Sequence, residues 1–211
     1  MIACNFAQVR KVLCLGAHSD DIEIGCGGAV LKLLRQQPGI EFLWFIGSAD
    51  GERRNEAERS AGEFLRAAQS ADIRFGGFRE SYFPEQWGAL KQAIEEIKGR
   101  FNPDLIFSHW RDDRHQDHRT ISDLTWNTFR NHLILEYEIP KYDGDLGQPN
   151  IFIPLDADIC EAKVGAVQRN FASQASKHWF TPDTFRSLMR IRGIECVSTY
   201  AEAFYCKKMI F

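Results

Sequence analysis

Long apolar runs, paired cysteines and clustered positive charge are all missing from this chain. Nowhere do the roughly eighteen consecutive apolar residues of a membrane-spanning helix run together, and the first twenty residues, MIACNFAQVRKVLCLGAHSD, lack a charged segment followed by a long apolar stretch. Those absences predict a soluble, cytoplasmic protein with no membrane span. The six cysteines, Cys4, Cys14, Cys26, Cys160, Cys196 and Cys206, are scattered, with no Cys-x-x-Cys pair to mark a zinc ribbon or redox centre. They read as small buried hydrophobes in a reducing compartment. Lysine and arginine total 26 against 29 acidic residues, a formal net charge of -3, and the basic residues are dispersed. Nucleic acid is therefore not an expected partner.

What the chain does have is enough apolar material for one core. At 211 residues and 44% hydrophobic composition, a single domain spanning residues 1–211 is expected. Val12 to Leu15, Phe42 to Ile46, Ile73 to Phe75 and Leu105 to Phe107 read as buried strands. Helical spacing of apolar residues marks Ile24 to Arg35, Asn55 to Ala68, Trp87 to Phe101 and Thr120 to Phe129. Leu133 to Ile139 looks extended until Pro140 breaks it, and residues 140–150, rich in glycine and proline, form a candidate lid loop. A short strand at Ile151 to Ile153, a helix from about Ala157 to Ala172 and a final edge strand at Ala203 to Ile210 complete the pattern. This alternation predicts an α/β fold, a Rossmann-like three-layer sandwich with a mostly parallel sheet.

Two short runs carry the chemistry: His18-Ser19-Asp20-Asp21 after the first strand and His115-Gln116-Asp117-His118 after the fourth. Open parallel sheets bind ligands beyond the carboxyl ends of their strands, so the two runs are free to converge. A hydrolytic zinc site needs about three His or carboxylate ligands and one position left for water. His18, Asp21 and His118 supply that set; ferrous iron or another divalent metal is also compatible. Asp20 is the candidate general base, His115 in protonated form the candidate oxyanion stabiliser, and Asp117 the candidate orienting partner of a histidine.

Other residues divide between packing and binding. Gly25, Gly27 and Gly28 are not spaced as a dinucleotide cradle, and the acids beside them would repel a pyrophosphate, so close packing of helix on sheet is expected. Arg53 and Arg79 fall near the expected cleft mouth, where either could fork onto a phosphate or sugar hydroxyl. His178 and a wall of Trp110 and Trp179 are candidates for the substrate pocket. His109 and His132 read as packing or surface residues.

The stretch Ala17-His18-Ser19-Asp20-Asp21-Ile22-Glu23-Ile24-Gly25-Cys26-Gly27-Gly28, followed by His115-Gln116-Asp117-His118-Arg119, resembles the paired signature of the PIG-L/LmbE-like metal-dependent N-deacetylases. Arg79-Glu80-Ser81, Ser173-Gln174 and Tyr200-Ala201-Glu202-Ala203-Phe204 are similar to further family segments. Ser19 stands where the family usually has proline, and Glu80 where aspartate is common. The resemblance implies His18, Asp21 and His118 as zinc ligands, Asp20 as general base and His115 as the oxyanion-polarising residue. It also implies an amidohydrolase that removes the acetyl group from a small N-acetylated amino sugar or sugar conjugate, releasing acetate and a free amine. Two alternatives use the same residues: a ferrous facial-triad oxygenase, whose usual all-β barrel conflicts with the alternating pattern, and a non-catalytic sugar-binding protein. The sequence leaves homo-oligomer formation open.

Overall fold

Successive side chains of a strand point to opposite faces, so a continuous apolar strand buries both sides only if helices cover both. Val12, Cys14, Phe42, Trp44 and Phe107 pack into one apolar layer, while their neighbours Leu13, Leu15, Leu43, Phe45 and Ile106 pack into another. The computed structural model, which describes residues 5–210, places a seven-stranded sheet between these layers; Cys4 lies outside the described residues.

In chain order the elements are β1 (Lys11–Gly16), α1 (Asp21–Gln36), β2 (Glu41–Ile46), α2 (Gly51–Phe64), β3 (Ser70–Phe75), α3 (Trp87–Arg100), β4 (Leu105–His109), α4 (Gln116–Thr128), β5 (Leu133–Tyr137), β6 (Ile151–Leu155), α5 (Ala157–Asn170), α6 (Pro182–Glu195) and β7 (Tyr200–Tyr205). The strand order is β3-β2-β1-β4-β5-β7-β6, parallel from β3 through β5. Buried residues of α1, α2, α5 and α6 fill one layer, and those of α3 and α4 the other. From β1 the chain winds outward through β2 and β3, then crosses to β4 on the other side of β1. The carboxyl ends of β1 and β4 therefore flank a topological switch point, the crevice where such sheets bind ligands. No helix of the described residues is long and apolar enough to cross a membrane.

The expected glycine packing is met at specific atoms. A Cβ on Gly25 would lie 2.2 Å from the Tyr137 ring, and one on Gly28 2.5 Å from Leu155 and 2.9 Å from Glu202. Glu202 of β7 accepts hydrogen bonds from the Gly28 and Ala29 amides at 2.8 and 2.6 Å, and pairs with the buried Lys163 ammonium at 2.6 Å. Lys163 in turn donates to the Ile24 carbonyl at 2.6 Å. This buried pair braces α1 against the sheet.

Three expectations need correction. α1 and α4 begin earlier than their apolar periodicity suggests, at Asp21 and Gln116, so the motif residues lie in their first turns. α6 was not expected, because Ile191 and Ile194, 51% and 62% exposed, blur the apolar stripe set by Phe185 and Met189. Its start was nonetheless written in Thr181-Pro182: the Thr181 hydroxyl accepts from the Thr184 amide, and proline occupies the first turn. Finally, the last strand is not an edge. β7 starts at Tyr200 and lies between β5 and β6, antiparallel to both. Glu202, which argues against an interior strand when unpaired, is neutralised there by Lys163.

Candidate active site

After Gly16 the chain turns through Ala17, His18 and Ser19 into α1, with Asp20 at the cap position and Asp21 the first helical residue. After β4 an equivalent turn delivers His115 as the cap of α4, where its Nδ1 accepts from the Asp117 amide at 3.2 Å. Because β1 and β4 pair side by side, the two helix starts face one another. Both histidine runs meet in a cleft of about 240 Å³ whose lining includes His18, Asp20, Asp21, His115 and His118.

The carboxylates around the two histidines assign their tautomers. Asp117, held ionised below its usual range by His18 and by the Phe83 and Ser81 amides despite the opposing effect of burial, can only accept. Its Oδ2 lies 3.0 Å from His18 Nε2, so in the neutral ring that nitrogen carries the proton and Nδ1 keeps its lone pair. Asp113 does the same for His118: its Oδ2 accepts from Nδ1 at 2.9 Å, leaving Nε2 free. The His18 amide donates to Asp21 Oδ2 at 2.6 Å. The three candidate donor atoms, His18 Nδ1, His118 Nε2 and Asp21 Oδ2, stand 3.2, 3.2 and 3.5 Å apart. A tetrahedral ion with ligand distances of about 2.0–2.1 Å has edges of about 3.3–3.4 Å, so the triangle fits one face of a zinc-like coordination shell.

Without an ion this cluster is strained electrostatically. Burial opposes charge on His18, but Asp21 and Asp117 outweigh it and push the imidazole up to about 10. Burial works against ionising Asp21 too, yet His118, His18 and His109 hold it well below the usual carboxylate range. Burial, reinforced by His109, depresses His118 to about 3. Burial and the neighbouring Asp21 raise Asp20 to about 6, against the pull of Arg53, His18 and Lys177. Burial and His18 lower His115. With its Nδ1 accepting from the Asp117 amide, His115 has Nε2 left for a partner in the cleft.

Asp117 lies beneath the cleft, not on its wall, fully buried. Besides His18 it accepts from the Ser81 amide at 2.6 Å and the Phe83 amide at 3.1 Å. Ser81 adopts a φ of 68°, rare for a residue with a Cβ, which marks the Arg79-Glu80-Ser81 turn as built for this contact. Arg53 lines the cleft, 2.5 Å from Glu80 and 4.0 Å from Asp20, with its Nε donating to the Ser19 hydroxyl at 3.2 Å. Arg79 and His178 are not brought into the cleft lining. The Arg79 guanidinium stacks 3.6 Å over Tyr82, and His178 stacks on Tyr142 with centroids 5.5 Å apart. Of the two tryptophans, Trp179 lines the cleft whereas Trp110 stacks on Tyr205 at 4.5 Å.

Sequence reasoning missed Asp113, His109, Lys141 and Lys177. Asp113 could have been found two residues before His115, but nothing local distinguishes it from Asp112. Lys141, from the candidate lid, reaches Asp113 Oδ2 at 2.9 Å and Asp145 at 2.6 Å, tying that loop to the partner of His118.

The chain is similar to several known proteins. An uncharacterised deacetylase of Escherichia coli (strain K12), YaiS, is 27% identical over 175 residues, covering 78% of the chain and 92% of the relative. The diacetylchitobiose deacetylase of Thermococcus kodakarensis is 26% identical over 201 residues, covering 82% of the chain and 74% of the relative. Among solved structures, the N,N'-diacetylchitobiose deacetylase from Pyrococcus horikoshii, complexed with an inhibitor, superposes with a TM-score of 0.72 at 22% identity, over 95% of this chain and 85% of that one. The family described as PIG-L, GlcNAc-PI de-N-acetylase, matches residues 13–129. That match spans more than half of the chain and contains both histidine runs, so the protein belongs to the PIG-L family and is a hydrolytic amidase of the deacetylase type.

Proposed function

We propose that the protein is a divalent-metal-dependent hydrolase, with zinc the best-fitting ion, that removes the acetyl group from an N-acetylated amino sugar or sugar conjugate. The observation that carries this reading is the triangle of donor atoms at 3.2–3.5 Å, opening on a cleft that also holds Asp20 and His115. His18, Asp21 and His118 would hold the ion. When bound, such an ion lowers the pKa of water to roughly 7 and polarises a carbonyl.

The remaining steps belong to side chains. Asp20, ionised above about pH 6, takes the proton of the attacking water and returns it to the nitrogen as the C–N bond breaks, releasing acetate and the amine. His115 donates its Nε2–H to the carbonyl oxygen as negative charge develops there. Asp117 and Asp113 fix the ring planes of His18 and His118. Arg53 is the polar contact for the substrate, and Trp179 offers an apolar face on which a sugar ring stacks. Tyr142, stacked on His178, lines the cleft from the candidate lid loop at residues 140–150. The sugar-deacetylating activities named for the relatives support an N-acetyl sugar as substrate.

The test is release of acetate and primary amine from N-acetylglucosamine, diacetylchitobiose and N-acetylglucosaminyl conjugates, by chelator-stripped protein before and after Zn2+ is restored. Activity restored by metal and lost in Asp20→Asn, with metal binding retained, is the expected result. Equal activity in stripped protein, or near-native turnover in Asp20→Asn, overturns the mechanism.

A further inference from the structure

His109 closes β4 directly beneath the ligand triangle and is completely buried. Its Nε2 accepts from the Ala17 amide at 2.9 Å, at the start of the turn that carries His18 and Asp21. The same nitrogen stands 3.3 Å from Asp21 Oδ2, which is hemmed from its other side by the His18 amide. The His109 ring also lies flat against His118, with centroids 4.0 Å apart and planes inclined by 17°. His115 stacks on His118 as well, at 4.6 Å and 24°. Asp113 fixes His118 within its ring plane, and the stacked rings limit its tilt.

A histidine serving only as core packing would not need this arrangement. Its Nδ1 is buried without a hydrogen-bond partner among the described residues, a desolvation cost that a phenyl ring would avoid. The feature that a phenyl ring cannot supply is the acceptor for the Ala17 amide.

We infer that His109 is a positioning residue of the metal centre, holding the Ala17–Asp21 turn so that Asp21 and His18 meet His118 in ligand geometry. It acts through the Ala17 amide, on which its Nε2 lone pair is spent, and so is not a ligand itself. This inference rests on the metal-dependent reading proposed above.

The test measures metal dissociation constants of chelator-stripped full-length protein for Zn2+ and Co2+, by competition with a chromophoric chelator, alongside melting temperatures of the metal-free forms. His109→Phe keeps a ring but removes the acceptor; affinity should weaken about 10–100-fold, the usual effect of losing a residue that orients a ligand. His109→Gln, whose carbonyl oxygen reaches the Ala17 amide, should stay within about threefold of the parent, and His109→Asn, one methylene too short, should resemble Phe. If the Phe variant fails to fold, the Gln and Asn pair gives the answer. Equal affinities in every folded variant, with only melting temperature altered, would reduce His109 to a packing residue and overturn the inference. A parent protein that binds neither ion would instead refute the functional reading itself.

Discussion

If His18 is a ligand of the proposed metal, stripping that metal should trap a proton on its ring. Clamped between the carboxylates of Asp21 and Asp117, that imidazole is pushed from 6.5 up to about 10. A ligand histidine must be neutral, so metal uptake at pH 7 has to displace this proton. Three pH units at 1.36 kcal/mol each make the displacement cost about 4 kcal/mol, roughly a thousandfold in apparent affinity. Apparent affinity should therefore rise about tenfold per pH unit between pH 7 and 9, a range in which an ordinary histidine is already neutral and adds nothing. The raised value also means that the folded, metal-free state binds a proton the unfolded chain releases. Stability from this group is then complete below pH 6.5 and is lost as pH rises through about 10. The assay is an NMR titration of the His18 ring in stripped protein, paired with calorimetric metal binding across the same pH range. A ring midpoint below about 7.5, with affinity flat from pH 7 to 9, would refute the clamp. Asp117→Asn, which removes one of its two carboxylates, should lower the midpoint and flatten the affinity profile.

Asp20 must be ionised to accept a proton, so kcat/KM should fall on an acid limb at or below about pH 6; a limb above pH 7 would remove Asp20 from that role. Glu23 is fully buried, neither of its oxygens has a hydrogen-bond partner among the described residues, and burial raises it to about 8. The folded state therefore retains a proton that the unfolded chain loses above 4.5, and stability declines as pH rises from 4.5 to 8. Glu23→Gln should leave thermal melting unchanged at pH 5 but stabilise at pH 9, by up to about 4–5 kcal/mol or on the order of 10 °C in Tm; equal melting at pH 9 would contradict this. Gly25→Ala drives a methyl group to 2.2 Å from Tyr137, whose hydroxyl holds the Leu15 carbonyl at 2.7 Å. A loss of about 1–3 kcal/mol in chemical denaturation is expected, and an unchanged midpoint would show that the ring yields freely. Trp179→Ala should raise KM several-fold with kcat nearly unchanged, since stacking acts alike on ground and transition states; a fall in kcat alone would place Trp179 nearer the chemistry.

How much of this was legible in the sequence depends on whether an interaction is local. His18, Asp20 and Asp21 occupy one turn, and His115, Asp117 and His118 one helix start, so their proximity follows from spacing, and the strand ends bring the two groups together. The partners of these residues are different in kind. Asp117 meets His18 across 99 residues and His109 meets Ala17 across 92, contacts that arise only from the pairing of β1 with β4. Arg79 and His178 sit beside cleft residues in sequence, but their side chains turn onto Tyr82 and Tyr142, and neighbouring positions carry no information about that choice. The parallel half of the sheet showed itself through apolar strands alternating with helices. The interior place of β7 did not, because it depends on Lys163 meeting Glu202 from 39 residues away.

That last strand has consequences for how the molecule assembles. Among the described residues β6 pairs only with β7, and β5 shares one of its sides with β7, so until Tyr200–Tyr205 is laid down both carry bare amides and carbonyls. Closing that gap joins segments far apart in the chain, a slow event, and while it stays open Leu133–Tyr137 offers an apolar template to other molecules. Refolding should therefore be most prone to aggregation just before this closure. The same event delivers Glu202 to the amides of α1, so the helix that begins with Asp21 is locked only when the sheet is completed.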